Sequence, residues 1–175
     1  MFFVLLSLAQ RSYFLNLNLN QMQRVLYFLI VAALLSSCGA AKRAQLRQKK
    51  IDRLVATARS YTGTPYKWGG TTRSGMDCSG LLCNSYKALD YDLPRTSVQQ
   101  SKTGDKVKLE KVQPGDLVFF ATGKKKRKVT HVGMVTVVKK GKIMFIHSSS
   151  SLGVVESNLY SKYYKKRFRG ARRVI

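Results

Sequence analysis

Carboxylates are scarce in this chain. Across 175 residues, eight Asp and Glu stand against 32 Lys and Arg, leaving a formal net charge of +24. Such an imbalance attracts polyanions: nucleic acid, anionic lipid or the acidic polymers of a bacterial envelope, and composition does not choose among them. Histidine occurs only twice, at His131 and His147, and cysteine three times, at Cys38, Cys78 and Cys83. These few donors show no metal-ligand spacing, so a zinc site of Cys78, His131 and His147 is conceivable only as an assembly of distant residues. The sequence shows no internal repeat and reads as a single domain. At 45% apolar residues, the chain has material for one domain with a real core.

Location comes from the N-terminal part. The stretch "MQRVLYFLIVAALLSSCGA", Met22 to Ala40, has a positive start at Arg24, an apolar run from Val25 to Leu35, then small residues and a cysteine. The run falls near the ~10–14 residues of a signal-peptide core, short of a comfortable membrane span. "LSSC" resembles the lipobox of bacterial lipoproteins, which makes Cys38 the lipidated residue and mature N-terminus; an ordinary signal peptide with a chance cysteine is the alternative. Residues 1–21 carry no coherent signal layout, pointing to Met22 as the true start. The expected organisation is a signal peptide over 1–37, a lipidated basic tether over 38–50 and one folded domain over 51–175. The expected location is the bacterial envelope, anchored by lipid to the outer or cell membrane. The tether then either lies against an anionic leaflet or is a solvated linker.

Within the domain, Ile51, Leu54, Val55, Ala58 and Tyr61 have helical spacing, and Gly63 with Pro65 stops that helix. A second helix is predicted over Ser79–Leu89. "PGD", Pro114 to Asp116, is a turn. Strands are predicted at "DLVFFA", "THVGMVTVV", "KIMFIHSS", "GVVES" and "FRGARRVI". Helices first and antiparallel strands after is an α+β order.

Cys78 stands at the start of the second helix. Asp77 is a good N-cap, and Cys78 at the first helical position meets free N–H groups and the helix dipole, which favour an anion. The adjacent carboxylate opposes this, and an imidazolium at His131 would lower the thiol further. Gly80 is expected to clear space for the strand carrying His131. A thiol nucleophile needs a base and a group that orients the base; Cys78, His131 and His147 meet that need in type. Cys83 lies about 140° round the helix from Cys78, so a disulfide is not expected and Cys83 reads as a small core residue.

The hairpin between the histidine strands tests whether they meet. A three-residue loop, Lys139 to Gly141, pairs Val138 with Lys142, sets Gly133 opposite His147 and puts both histidines on one face, with Gly133 leaving room for the His147 ring. A two-residue loop puts them on opposite faces. The catalytic reading therefore predicts the odd loop, or a bulge that restores the parity.

The segments "GTPYKWGG" (Gly63–Gly70), "DCSGL" (Asp77–Leu81), "LPR" (Leu93–Arg95), "PGDLVFF" (Pro114–Phe120), "HVGMV" (His131–Val135) and "FIHSSS" (Phe145–Ser150) resemble, in order and rough spacing, those of the NlpC/P60 family of papain-like cell-wall peptidases. The resemblance runs from about Ile51 to the C-terminus. It implies a papain-like α+β fold, with a catalytic helix packed on an antiparallel sheet. It further implies Cys78 as nucleophile, His131 as base, His147 as third member and Tyr66 as a hydroxyl reaching the site. The backbone N–H of Cys78 or Ser79, with Tyr66, would hold the oxyanion. No metal or cofactor is implied. The implied substrate is peptidoglycan, cut at the γ-D-glutamyl–diamino acid bond or at the D,D crosslink of the stem peptides.

Two charge runs remain, "GKKKRK" (Gly123–Lys128) and "YSKYYKKRFRGARR" (Tyr160–Arg173). The second interleaves aromatics with cations but carries no nucleic-acid motif. Both read as solvated faces or as contacts with an acidic wall polymer; no nucleic-acid partner is expected, and the chain is expected to be a monomer. The rival from another class is a wall-binding lipoprotein with an idle triad.

Overall fold

The computed structural model describes the backbone of residues 2–175 and the side chains of 21–28 and 39–175. The lipidation expected at Cys38 falls on a side chain outside those described, as do the side chains of 1–20. The chain divides into two units, Met1–Leu46 and Arg47–Ile175. Helix α1 spans Phe2–Arg59, so helix begins far ahead of Ile51 and runs through the segment expected as a tether. Ala, Gln, Lys and Arg dominate 40–50, all strong helix formers, and no proline interrupts them. In the first unit the side chains of Val25, Leu26, Tyr27 and Phe28 are exposed. Among the described residues no helix is long and apolar enough to cross a membrane.

In the second unit the expected face of α1 is the buried one: Ile51, Leu54, Val55 and Ala58. Gly63, at φ +83°, turns the chain away and donates its N–H to the Val154 carbonyl at 2.9 Å. A short hairpin follows, β1 (Thr71–Thr72) with β2 (Gly75–Met76). Helix α2 (Cys78–Lys87) starts at the residue after Asp77 and buries Leu81, Leu82 and Tyr86, each worth roughly 1.5–3 kcal/mol of transfer free energy. The Tyr86 hydroxyl meets its burial cost by donating to the Gly115 carbonyl at 3.0 Å. Helix α3 (Ser97–Gln100) follows.

The sheet comprises β3 (Asp105–Val107), β4 (Leu117–Phe120), β5 (His131–Lys139), β6 (Lys142–Ser149), β7 (Gly153–Asn158) and β8 (Phe168–Arg173). Its order is β3-β8-β4-β5-β6-β7, every neighbouring pair antiparallel. Helix α4 (Lys162–Arg167) joins β7 to β8. The five expected strands are present; β3, α3 and α4 were not expected from the pattern, being three to six residues long and lacking a readable period. One sheet face packs Leu117, Phe119, Val132, Met134 and Ile146 with α1 and α2, and the other packs Val118, Phe120, Val135, Phe145 and Leu159.

The β5–β6 register differs from the expected loop. Lys139 pairs with Lys142, leaving a two-residue loop of Lys140 and Gly141, with Gly141 at φ +72°. The parity is restored by a bulge at Thr136: the ladder passes from Val137↔Met144 to Val135↔Phe145. Met134 then faces Ile146, and one step further puts Gly133 opposite His147 and His131 diagonal to it, on the same face. The bulge was the second of the two arrangements the catalytic reading required.

Candidate active site

Asp77 caps α2 as its chemistry suggests. Its Oδ1 accepts from the Gly80 N–H at 2.7 Å, and its Oδ2 accepts from the Gly69 N–H at 3.0 Å, tying the preceding loop to the helix start. Arg95 closes on the same carboxylate, Nη1 to Oδ1 at 3.0 Å and Nη2 to Oδ2 at 2.7 Å, a bidentate pair. Burial acts to raise the Asp77 carboxyl, but the bonds from Arg95, Gly80 and Ser79 and the Arg95 charge outweigh it and hold it below the usual range. Arg95 was quoted from the sequence without a role. Its partner is the buried Asp77, eighteen positions of chain away, and only the fold shows that this acid is buried and so calls for a cation.

Cys78 is buried, and the backbone N–H groups of Val132, Ser79 and Cys78 itself act to lower its thiol. Burial nevertheless dominates and, with the Asp77 charge, pushes the thiol up to about 11. His131 is likewise held down to about 4 by burial. Desolvation thus works against the thiolate that the helix start and an imidazolium at His131 would favour.

His131 Nε2 lies 3.0 Å from His147 Nδ1. His147 is fully buried, stacked on the Phe145 ring at 4.9 Å between centroids, and burial together with the His131 charge pushes it to about 3. Its Nε2 meets the Ser157 hydroxyl at 3.0 Å and the Tyr164 hydroxyl at 3.1 Å. Sequence reasoning missed both hydroxyls. Tyr164 sits in the run read as a solvated face, and nothing local marks it as a partner of a strand residue seventeen positions away.

Two space-filling expectations need correcting. A Cβ at Gly133 would lie 2.5 Å from the Phe145 ring and 2.8 Å from the Ile146 carbonyl oxygen. Gly133 thus makes room for Phe145, which in turn supports His147. A Cβ at Gly80 would lie 2.3 Å from the Gly70 carbonyl oxygen. What approaches there is the Tyr66–Gly70 loop, not the His131 strand.

Cys78, Ser79, His131, His147 and Tyr66 all line one cleft of about 1100 Å³, with Arg95, Lys128, Tyr163 and Tyr164 also in its wall. The Ser79 hydroxyl is engaged, donating to Asp77 Oδ1 at 3.0 Å and accepting from Arg95 at 2.9 Å. Cys78 and Cys83 are free thiols, and Cys83 is half-buried with its S–H toward the Leu93 and Pro94 carbonyls. Among the described residues, no group of three or more His, Cys, Asp or Glu side chains is arranged to hold a metal ion.

Residues 63–173 match the model of the NlpC/P60 family. The chain is 37% identical over 158 residues to "Probable endopeptidase NlpC" of Escherichia coli K12, covering 86% of this chain and 99% of that protein. It is 35% identical to "Murein DD-endopeptidase MepS/Murein LD-carboxypeptidase" of the same organism, covering 70% of this chain and 62% of the relative. A crystal structure of an NlpC/P60 family protein from Bacillus cereus ATCC 10987 superposes with a TM-score of 0.63 at 38% identity, over 71% of this chain and 40% of the other.

Proposed function

This chain belongs to the NlpC/P60 family, and from that premise we propose that it is a peptidoglycan endopeptidase working by Cys-His-His nucleophilic catalysis. The observation that carries the proposal is the meeting of His131 Nε2 and His147 Nδ1 in the cleft that holds the Cys78 thiol.

The hydrogen bonds set the proton path. With Nε2 of His131 turned to His147, its Nδ1 is the ring nitrogen left for the thiol. In the productive tautomer Nε2–H donates to His147 Nδ1, and His147 Nε2–H donates to the Ser157 or Tyr164 oxygen. As Cys78 sulfur attacks the amide carbon, its proton passes to His131 Nδ1. The resulting oxyanion is held by N–H groups at the start of α2 with the Tyr66 hydroxyl, a kind of donor worth about 10²–10³ in rate. His131 then protonates the leaving amine, and water activated by His131 releases the acyl group. Burial keeps His147 from taking a proton itself, so it orients the base without competing with it.

The bond cut is the γ-D-glutamyl–diamino acid bond or the D,D crosslink of a stem peptide. The second is the activity named for the murein DD-endopeptidase relative. The exposed apolar side chains at 25–28 and the cysteine at position 38 support a signal peptide and lipid anchor that keep the enzyme in the envelope. Digestion of purified muropeptides by wild type and by Cys78→Ala, read by mass spectrometry, tests the proposal. Cleavage by wild type alone is expected, with fragment masses naming the bond; no cleavage by wild type points instead to an idle wall-binding protein.

A further inference from the structure

The two charge runs, Gly123–Lys128 and Tyr160–Arg173, are built into one surface. Arg169 donates from Nε to the Lys126 carbonyl at 2.8 Å and from Nη2 to the same oxygen. The Ala121 N–H donates to the Arg167 carbonyl at 2.9 Å. The loop is also closed on itself: the Thr130 hydroxyl accepts from the N–H groups of Thr122 and Gly123 at 2.9 and 3.1 Å, and the Lys128 N–H donates to the Lys125 carbonyl at 3.1 Å.

This brings ten cations to one end of the sheet, five from 124–128 and five from 162–169, with no carboxylate in either segment. The ion pairs among the described residues, Arg59–Glu156, Arg95–Asp77 and Arg173–Asp116, use none of the ten. Crowding like charges destabilises the folded state, and tying the loop with Arg169 adds to the crowding. Solubility alone needs only scattered charge. The placement matters as well: Gly123 and Lys128 from one run, and Tyr163 and Tyr164 from the other, line the cleft that holds Cys78. The Tyr163 ring is half exposed, with the Arg167 guanidinium 3.8 Å above it.

We propose that this surface docks polymeric peptidoglycan through the carboxylates of its stem peptides, so that the enzyme prefers the intact wall to single fragments. The inference rests on the peptidoglycan reading of the cleft. A single stem in the cleft reaches few of the ten charges. A strand whose stems repeat their carboxylates meets several at once, raising the effective concentration of the next scissile bond. A membrane held by the same cations would lie across the mouth of the cleft.

The test uses the full-length chain carrying Cys78→Ala, sedimented with purified sacculi. A second protein adds Lys124→Gln, Lys125→Gln, Lys126→Gln and Arg127→Gln. Retention at low salt is expected to fall about tenfold with the four substitutions, and to fall similarly when the sacculus carboxylates are amidated. Retention unchanged by both treatments overturns the proposal. So does binding lost only when phosphate polymers are stripped from the wall, or binding to anionic vesicles in preference to sacculi. With Cys78 intact, the four substitutions are expected to leave cleavage of a soluble muropeptide unchanged while slowing digestion of sacculi. Equal loss on both substrates overturns the docking role. Failure of the wild type to cut the soluble muropeptide sinks the peptidase reading, yet leaves the sedimentation result readable.

Discussion

The Tyr164 hydroxyl lies 3.1 Å from His147 Nε2, on the far side of the ring from the nitrogen that meets His131. Together with Ser157 Oγ at 3.0 Å, it can accept the Nε2 proton of His147 in the tautomer that the proposed proton path uses. Tyr164→Phe is expected to lower kcat about threefold to tenfold, the worth of one neutral hydrogen bond, with KM unchanged. Adding Ser157→Ala removes the remaining acceptor and should lower kcat further. A purely structural role for the hydroxyl predicts a lower melting temperature with unaltered kcat, and that outcome refutes the positioning role.

The Asp77 carboxylate serves α2, the Gly69 N–H, Ser79 and Arg95 at once. Asp77→Ala is expected to destabilise the protein by about 2 kcal/mol. About 1 kcal/mol is the lost N-cap, and up to about 1 kcal/mol is the ion pair, discounted because the Arg95 side chain is 40% exposed. Urea unfolding measures the loss. Activity should fall as well, because the same residue caps the helix start that carries Cys78 and Ser79.

Burial that pushes the Cys78 thiol up to about 11 and His131 down to about 4 predicts a neutral pair at pH 7. Alkylation of Cys78 by iodoacetamide, taken as the difference between wild type and Cys78→Ala, is expected to be slow at pH 7. It should rise nearly tenfold per pH unit through pH 9. Fast alkylation that is flat from pH 6 to 8 indicates a resting ion pair and contradicts the neutral assignment.

What the sequence revealed and concealed divides along physical lines. The cap at Asp77, the helix start at Cys78 and the apolar faces of α1 and β5 are local, and each could be read from neighbours a few residues away. The meeting of the two histidines was legible as an alternative between an odd loop and a bulge. The choice fell to Thr136, where β5 takes an extra residue that alternation does not announce. The partners of Gly133 and Gly80 were misassigned because a missing side chain shows that something approaches, not what. Tyr164 was hidden by its neighbours: four cations nearby disguise one aromatic whose hydroxyl points into the cleft.

The buried histidines also fix how stability depends on pH. His147 is held at about 3 in the folded protein, chiefly by burial, against about 6.5 when unfolded. Between those values the unfolded chain binds the extra proton, so stability is complete above pH 6.5 and is lost as pH falls toward 3. From pH 7 to pH 5, His147 alone should cost about 2 kcal/mol of unfolding free energy. His131, depressed to about 4, acts in the same direction over the same range. Asp77 is held below its ordinary value, so its contribution is lost only at more acid pH and does not mask the effect. Urea unfolding at pH 7, 6 and 5 is expected to show a steady decline for wild type. His147→Gln should lose about 2 kcal/mol less over that interval. A wild-type stability that stays level from pH 7 to pH 5 would falsify the buried neutral imidazole, and with it the proton path from Cys78 through His131.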